Sequence, residues 1–250
     1  MSIEYAAAAG VARITLNRPD KRNAITSEMM AALRDALQSS AADSSVRVLL
    51  IRGAGKDFCA GLDLSEVLNS AESEEAALSS ARRLGDLYIA MRRHPKPIIA
   101  AVQGRALGGG AGIATASDLI VATESAQFGY PEVKLGFIPA IVATMLRRAV
   151  NERQAMELAL TGEPLSATRA HAIGLINRVF PDAEFETGVE RYVAALAEQS
   201  ATAMSLSKTL LYQTDGMRFE ESIEAGVQAN VQARMTEDFK QGVERFLKRK

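Results

Sequence analysis

The 250-residue chain is 48% hydrophobic and 24% charged, a composition that suits one large globular domain or a domain with a small appendage. Lys and Arg total 29 against 30 Asp and Glu, so a net charge of -1 excludes a global basic field for nucleic acid, and 5% aromatic residues without Trp argue against stacking platforms. The single Cys59 rules out an internal disulfide, and no apolar run approaches the roughly 18 residues of a membrane span.

The N-terminal stretch MSIEYAAAAG carries Glu4 and no cationic region ahead of an apolar core, so no signal or transit peptide is expected and the default location is cytoplasmic. Val11–Leu16 reads as a strand ending in the turn chemistry of Asn17-Arg18-Pro19-Asp20. Residues 25–42 read as a helix with Thr26 or Ser27 as N-cap, its buried stripe set by Met29, Leu33 and Leu37. Residues 46–51 form an apolar strand closed by Gly53 and Gly55.

A long helix is expected between Ser73 and His94, with Leu84, Tyr88 and Met91 on one face and Glu72, Glu74 and Glu75 at the positive end of its dipole. His94-Pro95-Lys96-Pro97 stops it. Ile98–Val102 is a buried strand, a glycine segment opens a third helix, and residues 119–122 give another strand. This β-α alternation predicts a layered α/β fold with mostly parallel pairing. After Pro181 the pattern is helical throughout, punctuated by Asp215-Gly216, with Phe239, Val243, Phe246 and Leu247 on one face of the last helix. Such a tail has few partners within itself and is expected to dock on the main domain or on another subunit.

The segment GGGAGIA at 108–114 admits three readings on its own. Glycines at a strand-to-helix junction can serve only a tight turn or close packing. A dinucleotide fingerprint finds glycines 108, 110 and 112 and an acid, Glu132, 20 positions beyond Gly112. Against it, residues 103–107 separate the glycines from the strand, Ile113 stands where a third glycine is needed, and Pro131 precedes the acid. The third reading is that the first amides of the helix, which lack internal partners, are left open to an oxygen that gains negative charge. A second small-residue turn, Phe58-Cys59-Ala60-Gly61-Leu62-Asp63-Leu64, could supply another amide to the same oxygen.

FCAGLDL, PIIAAVQGRALGGG and SDLIVATESAQFGYPEVKLGFIP resemble the signature blocks of the crotonase superfamily, the enoyl-CoA hydratase/isomerase family. The similarity extends from Asn17-Arg18-Pro19 and Asn23-Ala24 to Phe246-Leu247-Lys248-Arg249. The resemblance implies an α/β crotonase-like spiral of ββα units with a helical C-terminal trimerisation region. It divides the chain into a core with the CoA and active site at 1–190 and an oligomerisation region at 191–250, assembled as a homotrimer or a hexamer of two trimers.

Carried over residue by residue, it places the two oxyanion amides on Leu62 and Gly109 and the general acid/base on Glu132. Ala60, Asp63 and Leu64 match the turn that faces the adenine of CoA, Lys21 and Arg22 lie where basic residues commonly meet the CoA phosphates, and Phe246 with Lys248 and Arg249 is implied to help from a subunit tail. For those cations a solvated surface role is the competing reading. The partner is an acyl-CoA thioester substrate, with no separate cofactor, no metal, no nucleic acid and no membrane. Well-known hydratases of the family carry a second glutamate three residues after the middle glycine, where this chain has Gly112. One carboxylate suits 3-enoyl to 2-enoyl isomerisation, whereas some similar bacterial members are linked to hydration without that acid, so both reactions stay open. The alternative is a non-catalytic acyl-CoA-binding or scaffold member.

His94 and His171 lack metal-ligand spacing, Cys59 has no activating neighbour in sequence, and Asp118 suits a structural turn. Tyr130 can either pack or offer its hydroxyl to the pocket.

Overall fold

The run of apolar residues from Val48 to Ile51 is fully buried because the strand that carries it is covered on both faces. The computed structural model describes residues 1–248. Its strands are β1 (Ile3–Ala8), β2 (Val11–Leu16), β3 (Val48–Gly53), β4 (Ile98–Val102), β5 (Arg105–Leu107), β6 (Leu119–Thr123), β7 (Gln127–Gly129), β8 (Leu165–Ser166) and β9 (Arg178–Phe180). The helices of the core are α1 (Ser27–Ala42), α2 (Leu64–Ser70), α3 (Glu74–Arg93), α4 (Gly109–Ala116), α5 (Ala140–Ala149), α6 (Glu152–Thr161) and α7 (Ala167–Ala172). Four more follow: α8 (Phe185–Ala197), α9 (Ala201–Gln213), α10 (Phe219–Arg234) and α11 (Glu237–Leu247).

Six strands form one sheet in the order β1-β2-β3-β4-β6-β9, parallel except for the β1-β2 hairpin. Alternate residues divide the core. Leu49, Ile51, Ala100 and Val102 join Leu33 of α1, Leu87 of α3 and Ile113 of α4, whereas Val48, Leu50, Ile99 and Ala101 face Phe185, Val189 and Val193 of α8. Thr26 caps α1 by accepting from the Met29 amide, and Ser73 caps α3 by accepting from the Ala76 amide. Acids in the first turn of α3 and Arg92 and Arg93 in its last complement the helix dipole.

The layered α/β architecture matches the expectation, with local corrections. The strand expected at 46–51 starts at Val48, because the Arg47 and Val48 amides both bond to the Gly10 carbonyl in the β1-β2 turn. That turn holds Ala9 and Gly10 at φ 51° and 80°. Strand β1 and the short β5, β7 and β8 were not expected; the last three form a small second sheet, ordered β5-β7-β8, which carries the site. The boundary expected at residue 190 falls inside α8, whose buried residues pack on the main sheet. Among the described residues, no helix is long and apolar enough to cross a membrane.

Candidate active site

The turn after β3 is threaded between two neighbours. On one side Ala60 donates to the Arg22 carbonyl, Ile25 donates to the Gly61 carbonyl, and Asp63 donates to the Ile25 carbonyl. These bonds run through Gly61 and Asp63, so the Leu62 amide faces away from Ile25, as parallel pairing requires. On the other side Cys59 pairs in parallel with Ala106 of β5, accepting from Leu107 at 2.9 Å and donating to Arg105 at 3.0 Å.

Three residues beyond that pair, the register sets Leu62 beside Gly109. A Cβ placed on Gly109 would lie 3.6 Å from the Leu62 nitrogen, and one placed on Gly61 would lie 3.8 Å from the Gly109 nitrogen. Neither nitrogen donates to a protein acceptor among the described residues. Gly109 opens α4, so its amide also has no partner within the helix. Two unsatisfied, partly positive donors thus lie within one small volume, held by backbone pairing. Glycine is required around them: a Cβ on Gly110 would stand 2.4 Å from the Cys59 carbonyl oxygen, and Gly108 adopts φ 49°, ψ -121°.

The same register brings in the acid. β5 pairs in parallel with β7, Leu107 opposite Gly129, and the Gly108 amide donates to the Gly129 carbonyl at 2.9 Å. Three residues past Gly129, Glu132 lies in a single 3-10 turn, Pro131–Leu135, opened by a proline whose missing donor costs nothing there. Its Oε1 would be 3.2 Å from a Cβ on Gly108. Its Oε2 is buried with no hydrogen-bond partner. Burial pushes the carboxyl pKa up, and its own backbone amide partly opposes that. Such an acid is suited both to take and to return a proton.

Tyr88 of α3 fills the space beside Gly112. A Cβ at Gly112 would lie 2.0 Å from the Tyr88 hydroxyl oxygen, and that hydroxyl donates to the Gly109 carbonyl at 2.9 Å. The Tyr130 hydroxyl is paired with Thr115 Oγ1 at 3.1 Å inside the core, and burial pushes it up to about 12. The Cys59 thiol is fully buried and likewise pushed up to about 12, so it is no nucleophile near neutrality. His94 closes α3 between Ser40 and Lys96, and among the described residues no group of three or more His, Cys, Asp or Glu is placed to hold a metal ion.

Residues 6–250 match the enoyl-CoA hydratase/isomerase family. The chain belongs to that family. A Thermus thermophilus relative, provisionally named enoyl-CoA hydratase, is 38% identical over 245 residues, covering 96% of this chain and 95% of its own. The 1,2-epoxyphenylacetyl-CoA isomerase of Escherichia coli is 34% identical, with 95% of this chain and 92% of that one covered. A crystal structure of an enoyl-CoA hydratase from Mycobacterium smegmatis superposes with a TM-score of 0.96 at 31% identity, covering 100% of this chain and 97% of that one.

The remaining residues that the enoyl-CoA hydratase/isomerase resemblance singles out fall into two groups. Ala60, Asp63 and Leu64 sit on the Leu62 turn, Leu64 being 59% exposed. Asp63 already has structural work: Oδ1 caps α2 through the Ser65 amide and hydroxyl, and Oδ2 pairs with Arg18 at 3.2 Å. The Ser65 hydrogen bond is the first cause of its lowered pKa. Lys21 and Arg22 are exposed, without an ion-pair partner among the described residues, and Arg22 adjoins the turn through its carbonyl bond to Ala60. Phe246 lies on α11, which packs on α9 and α10, and Arg249 lies outside the described residues.

Sequence reasoning missed two positioning side chains. Buried Asn23 donates to the Ala54 and Asp57 carbonyls at 2.9 and 2.8 Å and accepts from the Arg18 amide at 2.9 Å, fixing the loop that frames Ala60. Tyr88 was read only as part of a buried stripe. The available signal was its hydroxyl, which needs a partner wherever the ring is buried.

Proposed function

We propose that the protein is an acyl-CoA enzyme in which the Leu62 and Gly109 amides hold a thioester oxygen while Glu132 moves a proton on the enoyl chain. The observation that carries this reading is the register of the three adjoining segments, which brings two unpartnered amides and one unpartnered carboxyl oxygen together. Removing a proton next to a thioester leaves negative charge on its oxygen, and fixed donors stabilise that charge more than the neutral carbonyl. Hydration of a 2-enoyl-CoA and isomerisation of a 3-enoyl-CoA both use these parts, and CoA enters as part of the substrate rather than as a cofactor.

In this reading the Ala60–Leu64 turn and the exposed Lys21 and Arg22 receive the CoA moiety, and Phe246 reaches it from a neighbouring subunit. The exposed stripe Phe219, Ile223, Val227 and Val231 on α10, continued by Met235 at its C-cap, supports association with further copies.

The test supplies crotonyl-CoA and a 3-enoyl-CoA separately to the pure protein. Loss of the conjugated absorbance in the first reports hydration, and its appearance in the second reports isomerisation. Turnover abolished by Glu132→Gln supports the proposal. CoA binding without turnover of either thioester points instead to a binding or scaffold protein.

A further inference from the structure

A reaction that adds water must hold the water and divide two proton movements, whereas moving a double bond needs one proton carried between two carbons. The space beside the Gly109 amide differs in what it offers these two reactions. Position 112 lies three residues into α4 from Gly109, on the same side of the helix. No side chain fits there while Tyr88 and Val142 keep their places. A Cβ would meet the Tyr88 hydroxyl oxygen at 2.0 Å, Tyr88 Cζ at 2.6 Å and Val142 Cγ2 at 2.9 Å.

Tyr88 is only 1% exposed, and its hydroxyl proton is committed to the Gly109 carbonyl at 2.9 Å. The neighbouring Tyr130 hydroxyl is committed to Thr115. Neither hydroxyl is therefore free to serve as a second acid for Glu132, whose Oε2 has no hydrogen-bond partner among the described residues.

We propose that Tyr88 is a positioning and specificity residue that excludes a second acid and directs this site toward isomerising 3-enoyl-CoA thioesters. The proposal rests on the reading of Leu62, Gly109 and Glu132 given above. The Glu132 carboxylate takes a proton from C2, and the C–H electron pair becomes the C1=C2 bond of a dienolate whose charge rests on the thioester oxygen. Protonated Glu132 then returns the proton to C4. The dienolate electrons re-form the thioester carbonyl and leave the double bond between C2 and C3, and the carboxylate is restored. No water enters or leaves. Tyr88 acts through the Gly109 carbonyl, fixing the first turn of the helix that presents the Gly109 amide. Burial pushes the phenol well above its ordinary pKa, so it stays a donor throughout.

The experiment compares both thioesters in wild type, Tyr88→Phe and the double variant Tyr88→Ala/Gly112→Glu, with folding checked by circular dichroism. Wild type is expected to isomerise the 3-enoyl-CoA at least about tenfold faster than it hydrates crotonyl-CoA, a barrier difference of about 1.4 kcal/mol. Tyr88→Phe keeps the ring and loses the donor, so kcat for isomerisation is expected to fall about fivefold to tenfold with KM unchanged. The double variant opens the space and supplies a second carboxyl, raising the hydration-to-isomerisation ratio at least about tenfold.

Faster hydration than isomerisation by wild type overturns the inference, as does an unchanged kcat in Tyr88→Phe or an unchanged ratio in a folded double variant. Should the double variant not fold, the wild-type ratio and Tyr88→Phe still decide. Loss of both activities in Glu132→Gln alongside any of those results removes the role of Tyr88 and leaves the broader function standing. Absence of turnover in wild type removes both.

Discussion

Lys208 of α9 places its Nζ 2.8 Å from Oδ2 of Asp118, with only 6% and 14% of the two side chains exposed. Asp118 precedes β6 and also accepts from the Ile98 amide at 2.6 Å and the Tyr212 hydroxyl at 2.7 Å. Lys208 donates in addition to the Met91 and Lys96 carbonyls, both at 3.1 Å. One buried ammonium thus fastens the C-terminal helices to the end of α3 and the start of two central strands. Lys208→Met keeps most of the stem and leaves Asp118 without its countercharge, which costs on the order of 3 kcal/mol in such settings. Calorimetry should show Tm falling by roughly 6–12 °C. Adding Asp118→Asn to Lys208→Met should recover part of the loss. A single variant as stable as wild type would show that the pair does not fasten the region.

The carboxyl group of Glu132 links activity to stability with opposite signs. Burial raises its folded-state pKa above the ordinary value, so between the two values the native state binds more protons than the unfolded state. Stability therefore declines as pH rises through that window, because ionising the partly buried carboxyl costs more in the fold than in the unfolded chain. Glu132→Gln removes that cost. The variant is expected to unfold at a higher temperature than wild type at pH 7, with the gap closing in acid. Its turnover should fall by roughly two to four orders of magnitude, the range for loss of a general acid/base. In wild type, the acid limb of kcat/KM is expected above the ordinary carboxyl value of 4.5. Thermal melts at two pH values and one pH-rate profile check all three statements.

What was legible in the sequence follows from the range of the interactions involved. β3 and β4 show as unbroken apolar runs because each is buried on both faces, and Thr26 shows as a cap because capping is settled within three residues. β1 did not show: apart from its first residue it is exposed and alanine-rich, so it has no alternation to read. β5 and β7 have three residues each, too few for any period, yet their register sets Leu62, Gly109 and Glu132 together. The glycine turns were recognisable as motifs. The contact of Tyr88 with Gly112 was not, because it joins two helices 24 positions apart and appears in sequence only as one more apolar stripe residue.

Along α10, Phe219, Ile223, Val227 and Val231, with Met235 at its C-cap, recur every fourth residue and are 49–74% exposed. A stripe of that extent, unfavourable in water, is expected to be covered by another copy of the chain. Light scattering should therefore report a multimer, and Val227→Glu should shift it toward monomer with the helix content retained. A monomeric wild type at micromolar concentration would count against the stripe as an interface.

Gly108 offers the sharpest separation of site geometry from general stability. Its backbone at φ 49° disfavours any L side chain, and a Cβ there would press on Glu132 Oε1 at 3.2 Å. Gly174, at φ 81°, carries the same kind of backbone restriction but has nothing within 4 Å of a Cβ. Alanine at either position should cost about 1–3 kcal/mol from the positive φ. Only Gly108→Ala should also displace the carboxyl, and a displacement of about 1 Å at a reacting group can cost roughly 100-fold in rate. The expected pattern is therefore two variants with similar losses of Tm, of which Gly174→Ala keeps kcat/KM within about threefold of wild type, well inside the effect of a misplaced group. If Gly108→Ala turned over substrate as fast as Gly174→Ala, Glu132 would not be the group that moves the proton from where it stands beside the glycine turn.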